Sequence, residues 1–137
     1  MSYDDQNIFA RILRGELPAI KVYEDDQTLA FMDIMPQAEG HTLVIPKSPA
    51  VTLLDLSPEA AAYTIQIVQK IAKAMETALD AKGIVLMQLS GAAAGQTVPH
   101  VHFHLIPSSI HELGRHAAQM GDQEKIASLA EKIKAAL

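Results

Sequence analysis

The sequence predicts an α+β fold built on a five-stranded antiparallel sheet. Three observations carry that expectation. Apolar residues change period along the chain, from helical spacing to short β-branched runs and back. The resulting order is helix, three strands, long helix, two strands, helix, with a hairpin-length connection between the first two strands. The 137 residues are 49% hydrophobic and 20% charged, which suits one autonomous core.

In NIFARILRGELP, Ile8, Phe9, Ile12 and Leu13 recur at helical spacing, with Asn7 as N-cap and Gly15 as C-cap, so a short amphipathic helix comes first. AIKVYED and TLAFMDI are rich in β-branched and aromatic residues. The polar stretch around Asp25, Asp26 and Gln27 separates them and predicts a β-hairpin. HTLVIPK reads as a third strand, with Pro36 and Gly40 punctuating the approach. Ser57 as N-cap, Pro58 at the first helical position and Glu59 in the first turn open the long helix. Its apolar stripe is Val68, Ile71, Ala72, Met75, Ala78 and Leu79, and Gly83 supplies a stop. IVLMQLS follows as a nearly continuous apolar strand, then the small-residue loop GAAAGQT, then a strand within TVPHVHFHLIP. Asp122 as cap, with Ile126, Leu129, Ala130 and Ile133 on one face, predicts a final helix. No repeat or Gly/Pro/Ser-rich linker interrupts this order, so one domain is expected over 1–137, with a core over about 5–107 and a tail and helix over 108–137.

Composition narrows the function classes. A net charge of -5 lacks the broad basic surface that polymeric DNA or RNA needs, although one pocket can still attract a small phosphorylated ligand. The absence of cysteine excludes disulfides, thiolate catalysis and Cys-ligated zinc. The N-terminus carries no signal-peptide pattern and no window is long and apolar enough for a membrane span, so the cytoplasm is the expected compartment.

Three of the six histidines, His100, His102 and His104, stand at every second position of one apolar run. On a regular strand they share one face about 7 Å apart in succession, while Val101, Phe103 and Leu105 take the opposite face. A solvated polar face would account for the alternation, but chance seldom fills such a face with one rare residue type. Two histidines two apart on a strand can also bind one metal ion, given further ligands from elsewhere in the fold. A third reading is nucleophilic catalysis on phosphorus. Neutral imidazole attacks competently at pH 7, phosphoimidazole is a good leaving group, and neighbouring imidazoles can orient the nucleophile and hold charge. The preceding loop, with Gly91 and Gly95 bracketing three alanines, can approach a ligand closely and aim N–H groups at an anion. Thr97 has the parity of Val101 rather than His102, but Pro99 makes a regular strand before His100 unfavourable, which lets the loop curl Thr97 back over the histidines.

GQTVPHVHFHLIP resembles the signature of the histidine triad family, in which three histidines alternate with apolar residues after Gly-Gln-Thr/Ser. NIFARILRGELPAIKVYEDDQTLAFMDIMPQAEGHTLVIPK is similar to the N-terminal half of that family, so the resemblance covers most of the chain up to Pro107. It implies a HIT-like fold, five strands that join those of a second copy into a ten-stranded sheet. It also implies a homodimeric nucleotide-binding hydrolase or nucleotidyl transferase acting at the α-phosphate of a nucleoside phosphoramidate or dinucleoside polyphosphate, as in the Hint and fragile histidine triad branches. Its ligand would be a purine mononucleotide or nucleotide conjugate, without a cofactor.

By that resemblance His102 is the nucleophile that forms a covalent nucleotidyl-histidine, His104 a phosphate ligand, His100 a group that orients the site through the backbone, and His41 a support from the neighbouring strand. Gly95, Gln96 and Thr97 match the phosphate-contacting loop. Asp33 matches the residue that holds the ribose hydroxyls, and Ile8, Phe9, Ile12, Leu17, Phe31 and Ile34 match the apolar slot for the base.

Three departures from the family pattern are visible. Many bacterial relatives bind structural zinc through Cys-x-x-Cys and a histidine after the VIPK segment. Here the N-terminal segment reads NIFARI and Pro49 occupies the histidine place, so no structural zinc is expected. Leu89 stands where Asn is usual before the Gly-rich loop, so either Ser90 or Gln88 substitutes through a local shift or phosphate binding is weakened. That departure keeps a non-catalytic nucleotide sensor or scaffold as an alternative, beside a metal-binding protein using the histidine strand. The tail lacks the Trp-containing end of the Hint branch, and His111 and His116 read as solvated.

Overall fold

A computed structural model describes residues 2–114 together with 122–124, 127, 128 and 135. Within them run α1 (Ile8–Leu13), β1 (Lys21–Glu24), β2 (Thr28–Met32), β3 (Thr42–Pro46), α2 (Pro58–Leu79), β4 (Val85–Gln88), β5 (Phe103–Ile106) and α3 (Ile110–Leu113). The strands form one antiparallel sheet in the order β1-β2-β3-β5-β4. This is the α+β architecture read from the sequence. The short α3, capped by Ser109, was not anticipated. Most of the expected final helix lies outside the described residues, although 123, 124, 127, 128 and 135 are helical. No described helix is long and apolar enough to cross a membrane.

Local chemistry sets both main helices. The Asn7 side chain accepts from the Ala10 N–H at 2.9 Å and donates to the Asp4 carbonyl at 2.7 Å, and α1 stops where Gly15 takes φ +78°. Ser57 caps α2 by accepting from the Ala60 N–H, with Pro58 behind it. The expected stop at Gly83 is corrected: α2 ends at Leu79, with Asp80 in the left-handed conformation at φ 49°. Aspartate tolerates that conformation better than most side chains. Leu79 lies against Gly40, where an added Cβ would stand 2.5 Å from Leu79 Cδ1.

Strand alternation splits the core into two layers. Ala30, Val44, Val101, Phe103 and Leu105 face α2, where Ile67, Val68, Ile71 and Met75 are buried against them. Each of these helix residues contributes about 2 kcal/mol by leaving water. On the opposite face Phe9 and Ile12 of α1 pack over Leu29, Phe31, Leu43 and Ile45. The histidines belong to this second layer, so α1 becomes one wall of their surroundings.

Candidate functional site

The histidine run is not a regular strand throughout, which corrects the even spacing of about 7 Å expected for its imidazoles. β5 begins at Phe103, which pairs with Val44. Before it Pro99 has no N–H to give, and the Val101 N–H goes to the Ala50 carbonyl instead of a sheet partner. As a result the His102 and His104 rings stand only 4.9 Å apart, with Phe9 perpendicular to His102 at the same separation. Parity still holds: all three histidines are buried on the α1 side.

The hydrogen bonds assign the imidazole protons of His41, His100, His102 and His104, because a carbonyl only accepts and a backbone N–H only donates. His100 is fully buried and its Nε2 lies 2.8 Å from the Pro46 carbonyl, so Nε2 carries hydrogen. Its Nδ1 then accepts from the Tyr3 hydroxyl at 2.6 Å. His102 Nδ1 lies 2.7 Å from the His100 carbonyl and must donate, which leaves a lone pair on Nε2. His41 Nδ1 accepts from the Gln37 N–H at 3.0 Å, so its hydrogen is on Nε2, 3.0 Å from His104 Nδ1 and 3.4 Å from Asp33 Oδ2. His104 therefore accepts at Nδ1 and bears hydrogen at Nε2. That buried Nε2 has no hydrogen-bond partner among the described residues, so its N–H can serve an acceptor in the cleft.

Burial keeps these rings neutral. It lowers the pKa of His41, His100 and His102, and it takes His104 down to about 4 with help from the neighbouring His102 and His41. The Asp33 carboxylate opposes the shift at His41, His102 and His104 without reversing it.

His102 and His104 line a cleft of about 390 Å³ between α1, the segment after β2 and the loop before β5. Ile8, Phe9, Ile12, Phe31 and Ile34 form its apolar side, and Asp33, Gly95 and Thr97 also line it. With the histidines neutral, Asp33 is the only charged group among the described residues of the lining, which include no lysine or arginine. Asp33 Oδ1 accepts from the Met35 N–H, and this holds the carboxylate at the rim. His100 and His41 sit behind the cleft, each supporting a lining histidine.

Other expected site residues fall elsewhere. Leu17 packs in the α1-side core, while its neighbours Pro18 and Ala19 take the wall position. Ser90 donates to Gln88 Oε1 and neither lines the cleft, whereas Leu89 does. Gln96 does not line the cleft either and braces the loop. Its oxygen accepts from the Gly91 N–H and its nitrogen donates to the Val51 and Val98 carbonyls. The N–H groups of Ala94, Gly95 and Gln96 are likewise spent inside the loop, so they are not aimed at an anion as expected. Sequence reading missed Tyr3, Met35 and Gln37. Gln37 engages His41 through its backbone, for which no side-chain signal exists.

Metal binding fits this arrangement poorly. Asp33, His41 and His104 offer ligand atoms within 4.8 Å of one another, but the Gln37 N–H occupies the only nitrogen of His41 that could otherwise carry its proton. Nor do the three strand histidines converge, because both nitrogens of His100 and Nδ1 of His102 are already engaged. The cysteines and histidine of the structural zinc site are missing from the chain, with Pro49 at the histidine place.

Similarity to known proteins agrees with this architecture. An uncharacterised HIT-like protein of Mycobacterium tuberculosis is 46% identical over 100 residues, covering 73% of this chain and 69% of that protein. The adenosine 5'-monophosphoramidase of Saccharomyces cerevisiae is 38% identical over 133 residues, covering 95% and 82%. A crystal structure of a Hit-like protein from Bartonella henselae is 49% identical with a TM-score of 0.76, covering 99% of this chain and all of that one. Residues 14–111 match the HIT domain itself, and the chain belongs to the HIT family.

Proposed function

We propose that this protein is a nucleotidyl hydrolase that cleaves purine nucleoside phosphoramidates through a covalent nucleotidyl-His102 intermediate. The observation that carries the reading is the bond from His102 Nδ1–H to the His100 carbonyl, which leaves the Nε2 lone pair on a ring lining the cleft. In the first step Nε2 bonds to the α-phosphorus and the P–N bond breaks, the leaving amine taking a proton from solvent. The imidazolium so formed is stabilised by the carbonyl at Nδ1. Water then attacks phosphorus and gives a proton back to solvent, and His102 departs neutral with its hydrogen still on Nδ1. Overall the hydroxyl of one water ends on phosphorus and its proton on the amine. The unpartnered His104 Nε2–H supplies a donor for phosphate oxygen. Asp33 is suited to the ribose hydroxyls, and Ile8, Phe9, Ile12, Phe31 and Ile34 to the base.

A phosphoramidate suits the cleft better than a dinucleoside polyphosphate, because each added phosphate brings negative charge to a lining without a cation. Relatives named as adenosine 5'-monophosphoramidases support the same choice.

The homodimer expected of the family would use β4. The edge strand β1 carries the paired Lys21 and Glu24 and its ladder with β2 is broken between Lys21 and Tyr23, whereas β4 pairs with β5 in unbroken register from Val85 to Gln88. Sedimentation at micromolar concentration tests this, and a monomer throughout would refute it.

Rapid mixing of excess protein with 32P-labelled adenosine phosphoramidate should trap label on the protein in an alkali-stable, acid-labile bond, absent from His102→Ala. Equal hydrolysis by His102→Ala and wild type would sink the proposal. Leu89 in the cleft favours the second reading, a nucleotide sensor, which tight binding without trapped label would support.

A further inference from the structure

Tyr3 has no place in the reaction just described, yet it makes a short hydrogen bond inside the histidine network. It stands 97 residues from His100 in the chain, and among the described residues its hydroxyl is the sole donor to a nitrogen of a ring with no exposed surface. The segment bearing it is fastened to α1. Asn7 takes the Asp4 carbonyl through both its backbone N–H and its side chain, and Arg14 donates to the Asp5 carbonyl at 2.6 Å.

We propose that Tyr3 is a positioning residue for the nucleophile, acting through His100 on the hydrogen bond that orients His102. This deepens the hydrolase reading and rests on it. His100 is pinned at both ring nitrogens, by the Tyr3 hydroxyl on one side and the Pro46 carbonyl on the other. A ring held at both ends fixes its own backbone, and the His100 carbonyl is the acceptor that keeps hydrogen on His102 Nδ1 and the lone pair on Nε2. Without the hydroxyl, His100 Nδ1 becomes a buried lone pair with no donor. The ring then takes up a proton more readily as pH falls, placing positive charge beside His102, or tilts toward another donor. Either change loosens the carbonyl and misdirects the nucleophile. The groups facing His100 are Tyr3, Phe9, the Pro46 carbonyl and His102, so no carboxylate stands by to neutralise such a proton.

The test is Tyr3→Phe, which removes the hydroxyl and keeps the edge-on ring contact with His100 at 5.6 Å. Kinetics on adenosine phosphoramidate are measured well below the melting temperature of both proteins, with 15N spectra of the histidine ring nitrogens. The expected result is a kcat lower by roughly 5- to 20-fold with KM within about twofold. The acid limb of kcat should move to higher pH, and the His100 Nδ1 and His102 Nδ1 signals should both shift. A variant with wild-type kcat, acid limb and His102 signals would show that Tyr3 only fastens the N-terminal segment, overturning the proposal. If wild-type protein forms no covalent adduct, the hydrolase reading fails on its own. The ring-nitrogen signals then still decide whether Tyr3 sets the state of His102.

Discussion

Acidification should weaken the fold through His104, and the size of the effect follows from its surroundings. Its pKa is about 4 in the folded protein because the ring is buried beside His102 and His41, whereas in the unfolded chain it returns to about 6.5. The unfolded chain therefore binds a proton that the folded protein refuses. The stability due to the neutral ring is fully present above pH 6.5 and is lost as pH falls toward 4. At pH 5 this one group costs about 2 kcal/mol relative to pH 7.5. Urea unfolding at the two pH values measures it, with His104→Gln as the comparison. Glutamine does not titrate, so the variant's loss between pH 7.5 and 5 should be smaller by about 2 kcal/mol. If wild type and variant lose the same stability, either His104 already titrates near its ordinary value in the folded protein or its proton is shared differently, and the tautomer chain from Gln37 through His41 to His104 is refuted.

The nucleophile carries a related prediction. Burial lowers the His102 pKa, so the acid limb of kcat/KM should fall below pH 6.5. A tenfold loss by about pH 5.5, the behaviour of an ordinary imidazole, would contradict it. Leu89→Asn adds a polar group to the cleft wall and should raise the rate on diadenosine polyphosphate relative to phosphoramidate by roughly tenfold. An unchanged ratio would mean that Leu89 does not select the leaving group. Gly40→Ala should cost about 2–3 kcal/mol in urea unfolding, since φ is +87° and the new Cβ meets Leu79 and Pro107 at 2.5 and 3.1 Å. An unaltered unfolding midpoint would be inconsistent with that packing. Tyr63→Phe removes one of two tyrosine hydroxyls donated to Asp25 Oδ2. It should cost about 1.5 kcal/mol of stability and leave kcat alone, and a changed kcat would tie this distant network to the site.

Much of the fold could be read locally. Asn7, Gly15, Ser57 and Pro58 act on backbone groups within a few residues, so their caps appear where the sequence places them. Strand alternation likewise separated the histidine side from Val101, Phe103 and Leu105, because side-chain parity is a property of the chain itself. Likeness to the family also singled out Ile8, Phe9, Ile12, Phe31, Asp33 and Ile34 of the cleft around His102, although Leu17, Ser90 and Gln96 do not line it.

What local reasoning could not supply depends on segments far apart in sequence. α2 breaks at Asp80 instead of Gly83, beside the contact of Leu79 with Gly40, a residue far away in the chain. Gln96 turns from expected ligand to brace because the Val51 carbonyl is within reach of its amide. Leu89 lines the cleft while Ser90 turns to Gln88, although the two are adjacent in the sequence. The protonation of the histidines is the clearest case. A buried imidazole takes its tautomer from whichever donor or acceptor the fold brings to each nitrogen. His102 finds its acceptor locally, in the His100 carbonyl, but His100 depends on Tyr3 and Pro46, and His104 on Gln37 through His41, all far from the triad in the chain. Most residues of the site are written in the sequence, whereas the lone pairs of His100 and His104 are set by long-range packing.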